Sequence, residues 1–221
     1  MKQARLIAID FDDTLCLTEE ATFYLENHVA QSMGHTPMTR ESHKQTWGMP
    51  LQEAILQRIP NIDPQEFMIR LAKSLPLFVA EGKLDTVSKE NLRTLQKLKD
   101  VGKLLTVVTS RTLSEVEHLL EPNHELHVFL DGFYHKDKTI YHKPDPRVFD
   151  MMLQDFMVQP NEVVYIGDAP TDAKAATEAG MHFIAILESG IRTKEDFSSV
   201  MIDAFVDTFS DVERLLLGDK N

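Results

Sequence analysis

The chain has a single cysteine and no long apolar run, and each scarcity narrows what it can be. Cys16 has no second cysteine with which to form an internal disulfide, so the fold must be held by packing, as suits a reducing compartment. The first apolar run, Leu6 to Ile9, is far too short for a signal-peptide core or a membrane span, and the expectation is a cytoplasmic protein. Positive charge is scarce as well. Lys and Arg number 23 against 35 Asp and Glu, a formal charge of −12, which argues against nucleic acid or an anionic membrane as a partner. The 9 histidines show no spacing that a zinc site would need, and there is no internal repeat or low-complexity segment. What remains is a chain of 221 residues, 43% apolar and 26% charged, enough for one large domain or two small ones.

The run Leu6-Ile7-Ala8-Ile9 has no polar alternation, which suits a strand buried on both faces of a parallel sheet. It stops at Asp10, Asp12 and Asp13, where ligands bind in open α/β sheets. Two unit charges at 4 Å repel by about 4 kcal/mol at an effective dielectric near 20. A hard divalent cation with oxygen ligands removes that repulsion, and Mg²⁺ is the leading candidate. Read singly, Asp-rich turns also serve as helix caps, so the acids gain meaning only from partners downstream.

After Leu15 the pattern turns helical for about seventy residues. Ala21, Tyr24, Leu25, His28, Val29 and Met33 fall at helical spacing, with Gly34 as a stop and His28 on the packing face. Pro50 opens a second helix. Asp63-Pro64-Gln65-Glu66 opens a third, expected to end at Pro76. Arg40, His43, Lys44 and Trp47 fall in the loop between the first two. From Ser88 onward helix and strand signals alternate. Strands are expected at Leu104–Val108, Val128–Leu130, Val163–Ile166, His182–Leu187 and Ala204–Val206, with helices between them and a last helix from Ser210 to Leu217. The pattern predicts a doubly wound, Rossmann-like parallel sheet formed by residues 1–16 and 84–221, with a small all-helical insertion, residues 17–83, after the first strand.

Four groups then fall at expected strand ends or in their loops: Asp10 with Asp12, Thr109, Lys143, and Asp168 with Asp172. Here the sequence resembles the haloacid dehalogenase-like hydrolase superfamily over nearly its whole length. Asp10-Phe11-Asp12-Asp13-Thr14-Leu15 matches the family's first motif, Thr109 its second, Lys143-Pro144 its third, and Gly167-Asp168 with Asp172 its fourth. The insertion, with Gly34 and Gly48-Met49-Pro50, resembles the helical cap of the phosphoglycolate phosphatase-like branch. Two departures stand out. Asp13 occupies a position commonly Gly, and Lys83 to Val87 replaces the usual Pro-Gly turn.

The resemblance implies a Mg²⁺-dependent phosphatase acting on a small phosphorylated metabolite through an aspartyl-phosphate. Asp10 would be the nucleophile and Asp12 the general acid and base. Lys143 and Thr109 would hold phosphoryl oxygens, with backbone N–H groups around Ser110 helping. Mg²⁺ would be held by the Asp10 carboxylate, the Asp12 backbone carbonyl and Asp168, with Asp172 either supporting the site or ligating directly. Read singly, Thr109 and Asp172 could each cap a following helix, and Lys143 could be a solvated loop lysine.

Two rivals follow from the same resemblance. A sugar phosphomutase of the same branch carries a His in the first cap helix where this chain has Thr22, and a non-catalytic phospho-ligand-binding member would keep only the fold. The cap carries no broad basic patch. Arg40 and Lys44 are the candidates for contact with the leaving group, and hinges at 16–18 and 81–86 would let the cap close. The sequence sets no oligomeric state.

Overall fold

The run Leu6–Ile9 forms a strand, β1, with all its side chains buried. The structure is a computed structural model that describes residues 1–218. The chain divides into two compact units, one of Met1–Leu15 and Val87–Asn221 and the other of Cys16–Thr86.

The second unit is helical: α1 Glu19–Ser32, α2 Arg40–Gln45, α3 Leu51–Arg58 and α4 Pro64–Ala80. Its core gathers Leu25, Val29 and Ala30 of α1 with Met38, Ile55, Ile59, Ile62, Phe67 and Leu84. Asp63 caps α4 by accepting from the N–H groups of Gln65 and Glu66, as the sequence pattern predicts.

Three expectations fail here. Arg40, His43 and Lys44 lie on α2 rather than in a loop, because Thr39 accepts from the Ser42 N–H at 3.1 Å and starts a turn of helix. Pro76 does not end α4. The helix runs on to Ala80 and stops where Gly82 adopts φ +64. Tyr24 and His28 are exposed, and Glu19, Glu26 and Asn27 are buried instead. Leu25 and Val29 enter the core as expected, but periodicity misplaces Tyr24 and His28 because α1 also packs on a polar network. Glu19 binds His43 Nδ1 at 2.7 Å and the Arg40 guanidinium at 2.6 Å. Arg58 is buried between Glu26 and the Thr46 hydroxyl. Buried charge is tolerated only when paired in this way.

The other unit is a sheet. After β1 come α5 Lys89–Asp100, β2 Leu104–Val108, α6 Leu113–Val116, β3 Gly132–Tyr134, α7 Asp150–Phe156, β4 Val163–Gly167, α8 Pro170–Glu178, β5 His182–Ile186, β6 Ala204–Val206 and α9 Val212–Leu217. All neighbouring strands are parallel, in the order β3-β2-β1-β4-β5-β6. Strands therefore spread outward from the β1–β4 pair in both directions, and the carboxyl ends of that pair form the switch point at which such sheets bind ligands. One face packs Leu6, Ala8, Val163, Tyr165 and Phe183 against Phe149, Met152, Ala173 and Ala176. Each such Leu or Phe contributes about 1.5–3 kcal/mol by leaving water. Ser88 caps α5 at Asn91, and the Asn91 amide donates to the Leu15 carbonyl at 2.9 Å.

The strand expected at Val128–Leu130 is displaced. Glu125–Val128 is a 3-10 turn with Val128 73% exposed, and the strand is Gly132–Tyr134. A side chain at Gly132 would put a Cβ 2.9 Å from the Thr106 hydroxyl, so only glycine lets β3 pair there. A strand that opens on glycine gives no apolar signal. Among the described residues no helix is long and apolar enough to cross a membrane.

Candidate active site

The β1–β4 register pairs Ile9 with Ile166, so the chain leaves the two strands side by side. Asp10 continues the ladder, its N–H donating to the Ile166 carbonyl at 2.9 Å, and Asp168 follows the last residue of β4. Asp172 lies in the first turn of α8. It is not the N-cap but sits three residues inside, accepting from the Ala169 N–H at 3.2 Å. A Cβ on Gly167 would lie 2.8 Å from Asp172, so the glycine before Asp168 makes room for that carboxylate.

These three acids converge. Asp10, Asp168 and Asp172 are all buried, and one carboxylate oxygen from each lies within 4.8 Å of the other two. Lys143 enters from the loop before α7 and contacts Asp10 Oδ1 at 2.9 Å, Asp172 Oδ1 at 2.7 Å and the Tyr165 hydroxyl at 2.8 Å.

One ammonium cannot balance three carboxylates in a dry site. Burial pushes the Asp10 carboxyl up to about 7, with Lys143 opposing and Asp172 and Asp12 adding to the rise. Burial likewise pushes Asp168 well above the usual range, reinforced by Asp172, Asp10 and Asp13. Burial alone would lower Lys143, but Asp10 and Asp172 outweigh it and hold the ammonium charged. The donor set is therefore hard, anionic and short of positive charge, which fits a hard divalent cation.

Asp12 lies outside this cluster of carboxylates. Its side chain is 30% exposed, and the Arg111 guanidinium grips it, Nη2 to Oδ1 at 2.6 Å and Nε to both oxygens at 3.0 and 3.1 Å. Arg111 also lies over the Phe11 ring, 5.1 Å from its centroid. Asp13 takes φ +50, the left-handed backbone that explains why glycine is common at this position in the resembling family. Thr109 directly follows β2 and is buried, its hydroxyl accepting from the Arg111 N–H at 3.2 Å. Ser110 is exposed. Arg40 and Lys44 belong to the helical unit, where Arg40 is paired with Glu19 and Lys44 is partly exposed.

Two residues of this site escape the sequence reading. Arg111 stands immediately after Thr109 and Ser110, and a cation there beside an acidic loop is the signal that could have found it. Tyr165 carries the one polar tip in the apolar run Val163 to Ile166, and its buried hydroxyl meets Lys143.

A family model described as haloacid dehalogenase-like hydrolase matches residues 7–186. A phosphoglycolate phosphatase of Nitrosospira multiformis is 23% identical over 218 residues, covering 96% of this chain and 95% of that protein. A phosphorylated carbohydrates phosphatase of Thermotoga maritima is 27% identical over 184 residues, covering 80% of this chain and 82% of its own. Among solved structures, CbbY of Rhodobacter sphaeroides in complex with xylulose-1,5-bisphosphate superposes with a TM-score of 0.73 at 22% identity, covering 94% of this chain and 96% of that one.

Proposed function

This chain belongs to the haloacid dehalogenase-like hydrolases and is a phosphatase of that family, and we propose that it hydrolyses a small phosphorylated metabolite with Mg²⁺ through a phosphoryl-Asp10 intermediate. The observation that carries this reading is the meeting of Asp10, Asp168, Asp172 and Lys143 at the carboxyl ends of β1 and β4. The names of the relatives support a small phosphate ester as substrate.

In the first step Asp10 attacks phosphorus, the bond from phosphorus to the ester oxygen breaks, and the leaving oxygen takes a proton from Asp12. In the second, Asp12 removes a proton from water, whose oxygen attacks phosphorus and releases inorganic phosphate and free Asp10. Lys143 and the Thr109 hydroxyl hold the phosphoryl oxygens throughout, which offsets the charge they gather as bonds exchange. Asp10, Asp168 and Asp172 would hold the cation, which when bound neutralises the acids and draws charge from the phosphoryl group. The exposure of Asp12 suits a group that must reach both the leaving oxygen and water.

The test is turnover of p-nitrophenyl phosphate with Mg²⁺. Release of inorganic phosphate by the parent, lost in Asp10→Asn and in excess chelator, supports the reading. Equal background in parent and variant removes it. Isomerisation of a hexose phosphate without phosphate release would favour the mutase reading instead.

A further inference from the structure

The three N–H groups of Lys143 meet three acceptors: Asp10 at 2.9 Å, Asp172 at 2.7 Å and the Tyr165 hydroxyl at 2.8 Å. Two of these are members of the acidic cluster. The third is a neutral phenol, whose own proton is closest to the Val108 carbonyl at 3.0 Å, with Asp172 Oδ1 a longer second acceptor at 3.4 Å. Val108 is the last residue of β2 and immediately precedes Thr109. One hydroxyl thus joins the strand end that presents Thr109 to the ammonium of Lys143, which arrives on a different loop.

The phenol is well suited to fix a distance. Its ring is fully buried, edge-on to Phe149 at 4.9 Å and tilted against Phe183 at 6.1 Å, so the oxygen cannot follow a moving lysine. Lysine, by contrast, is a flexible four-carbon stem with a point charge at its tip. Left with the carboxylates alone, the ammonium would settle toward Asp10 and Asp172.

We propose that Tyr165 is a positioning residue, whose hydroxyl sets the separation between Lys143 and Thr109 so that both meet one phosphoryl group. This rests on the phosphatase reading above, in which those two side chains hold the phosphoryl oxygens. Tyr134 supplies an internal contrast: it too is buried on the sheet, but its hydroxyl donates to Asp155 at 2.7 Å and has no link to Lys143.

The experiment compares Tyr165→Phe with Tyr134→Phe, each of which removes one buried hydroxyl. It reads kcat and KM for p-nitrophenyl phosphate, calorimetric binding of inorganic phosphate, and Tm. Tyr165→Phe is expected to raise KM and the phosphate Kd together by about 10-fold, while Tyr134→Phe lowers Tm and leaves both within twofold. Parent-like KM and Kd in Tyr165→Phe would overturn the proposal. In a Lys143→Met background, Tyr165→Phe is expected to add no further loss of phosphate binding, and a second loss of equal size would also overturn it. Should Tyr165→Phe not fold, 3-fluorotyrosine at 165 keeps the shape and weakens the acceptor, and a parent-like phosphate Kd there contradicts the proposal. A parent that binds phosphate through this pair yet turns over no ester would defeat the phosphatase reading and leave this one standing.

Discussion

Arg111 grips Asp12 with a two-pronged guanidinium contact, at 2.6 Å through Nη2 and at 3.0 and 3.1 Å through Nε. The residue proposed to move protons is therefore held in place by a residue that carries no proton chemistry itself. Its planar fork fixes the carboxylate plane in a way a lysine cannot. Arg111→Ala is expected to lower kcat by about 10- to 100-fold, and Arg111→Lys to recover little of it. Steady-state kinetics on both variants checks this.

The role of Asp12 depends on the leaving group. p-Nitrophenolate leaves without help, whereas an alkoxide needs a proton. Asp12→Asn is expected to slow transfer of the phosphoryl group to Asp10 from an alkyl phosphate by about 10²- to 10⁴-fold and from p-nitrophenyl phosphate far less, as read by the pre-steady-state release of the leaving group. Equal losses in that first step would deny Asp12 the part of acid.

Asp10 links stability to pH. Its folded-state value near 7, raised chiefly by burial, lies above the ordinary carboxylate value. Without metal, its favourable contribution is fully present below pH ~4 and is lost as pH rises through about 7. In chelator, the Tm of the parent relative to Asp10→Asn is expected to fall over that window. Mg²⁺ should restore it at the alkaline end, by about 2.7 kcal/mol at a hundredfold excess over Kd. Thermal melts from pH 4 to 8, with and without Mg²⁺, read both effects.

Gly167 makes room for Asp172. A methyl group there would sit 2.8 Å from the Asp172 Cβ and Oδ2, so Gly167→Ala must displace the acid or the strand. The expected result is a stability loss of about 1–3 kcal/mol together with weaker Mg²⁺ binding, measured by urea unfolding and calorimetry.

In the helical unit, Arg58 is the main partner of buried Glu26. Arg58→Met leaves that carboxylate without its cation and is expected to cost about 3–5 kcal/mol. The double variant Glu26→Met, Arg58→Met removes both charges and should regain most of it. Urea unfolding of the three proteins decides.

Much of the sheet was legible because its strands are unbroken apolar runs that end in chemistry. Leu6–Ile9 followed by Asp10, and Val163–Gly167 followed by Asp168, announce both a buried strand and the acid at its end. Tyr24 and His28 misled because periodicity assumes an apolar core, whereas α1 buries Glu19 and Glu26 on partners far along the chain. Arg111 and Tyr165 stayed hidden for a related reason: each works through a side chain distant in sequence, and only the strand order brings them together.

The central claim is that Asp10 carries the phosphoryl group, and rapid-quench labelling with a radioactive phosphate ester in Mg²⁺ tests it most directly. The expected result is a transient, hydroxylamine-labile label on the peptide containing Asp10, absent from Asp10→Asn. Undiminished turnover in Asp10→Asn, or turnover by the parent with no label at Asp10 on any quench time, would contradict it.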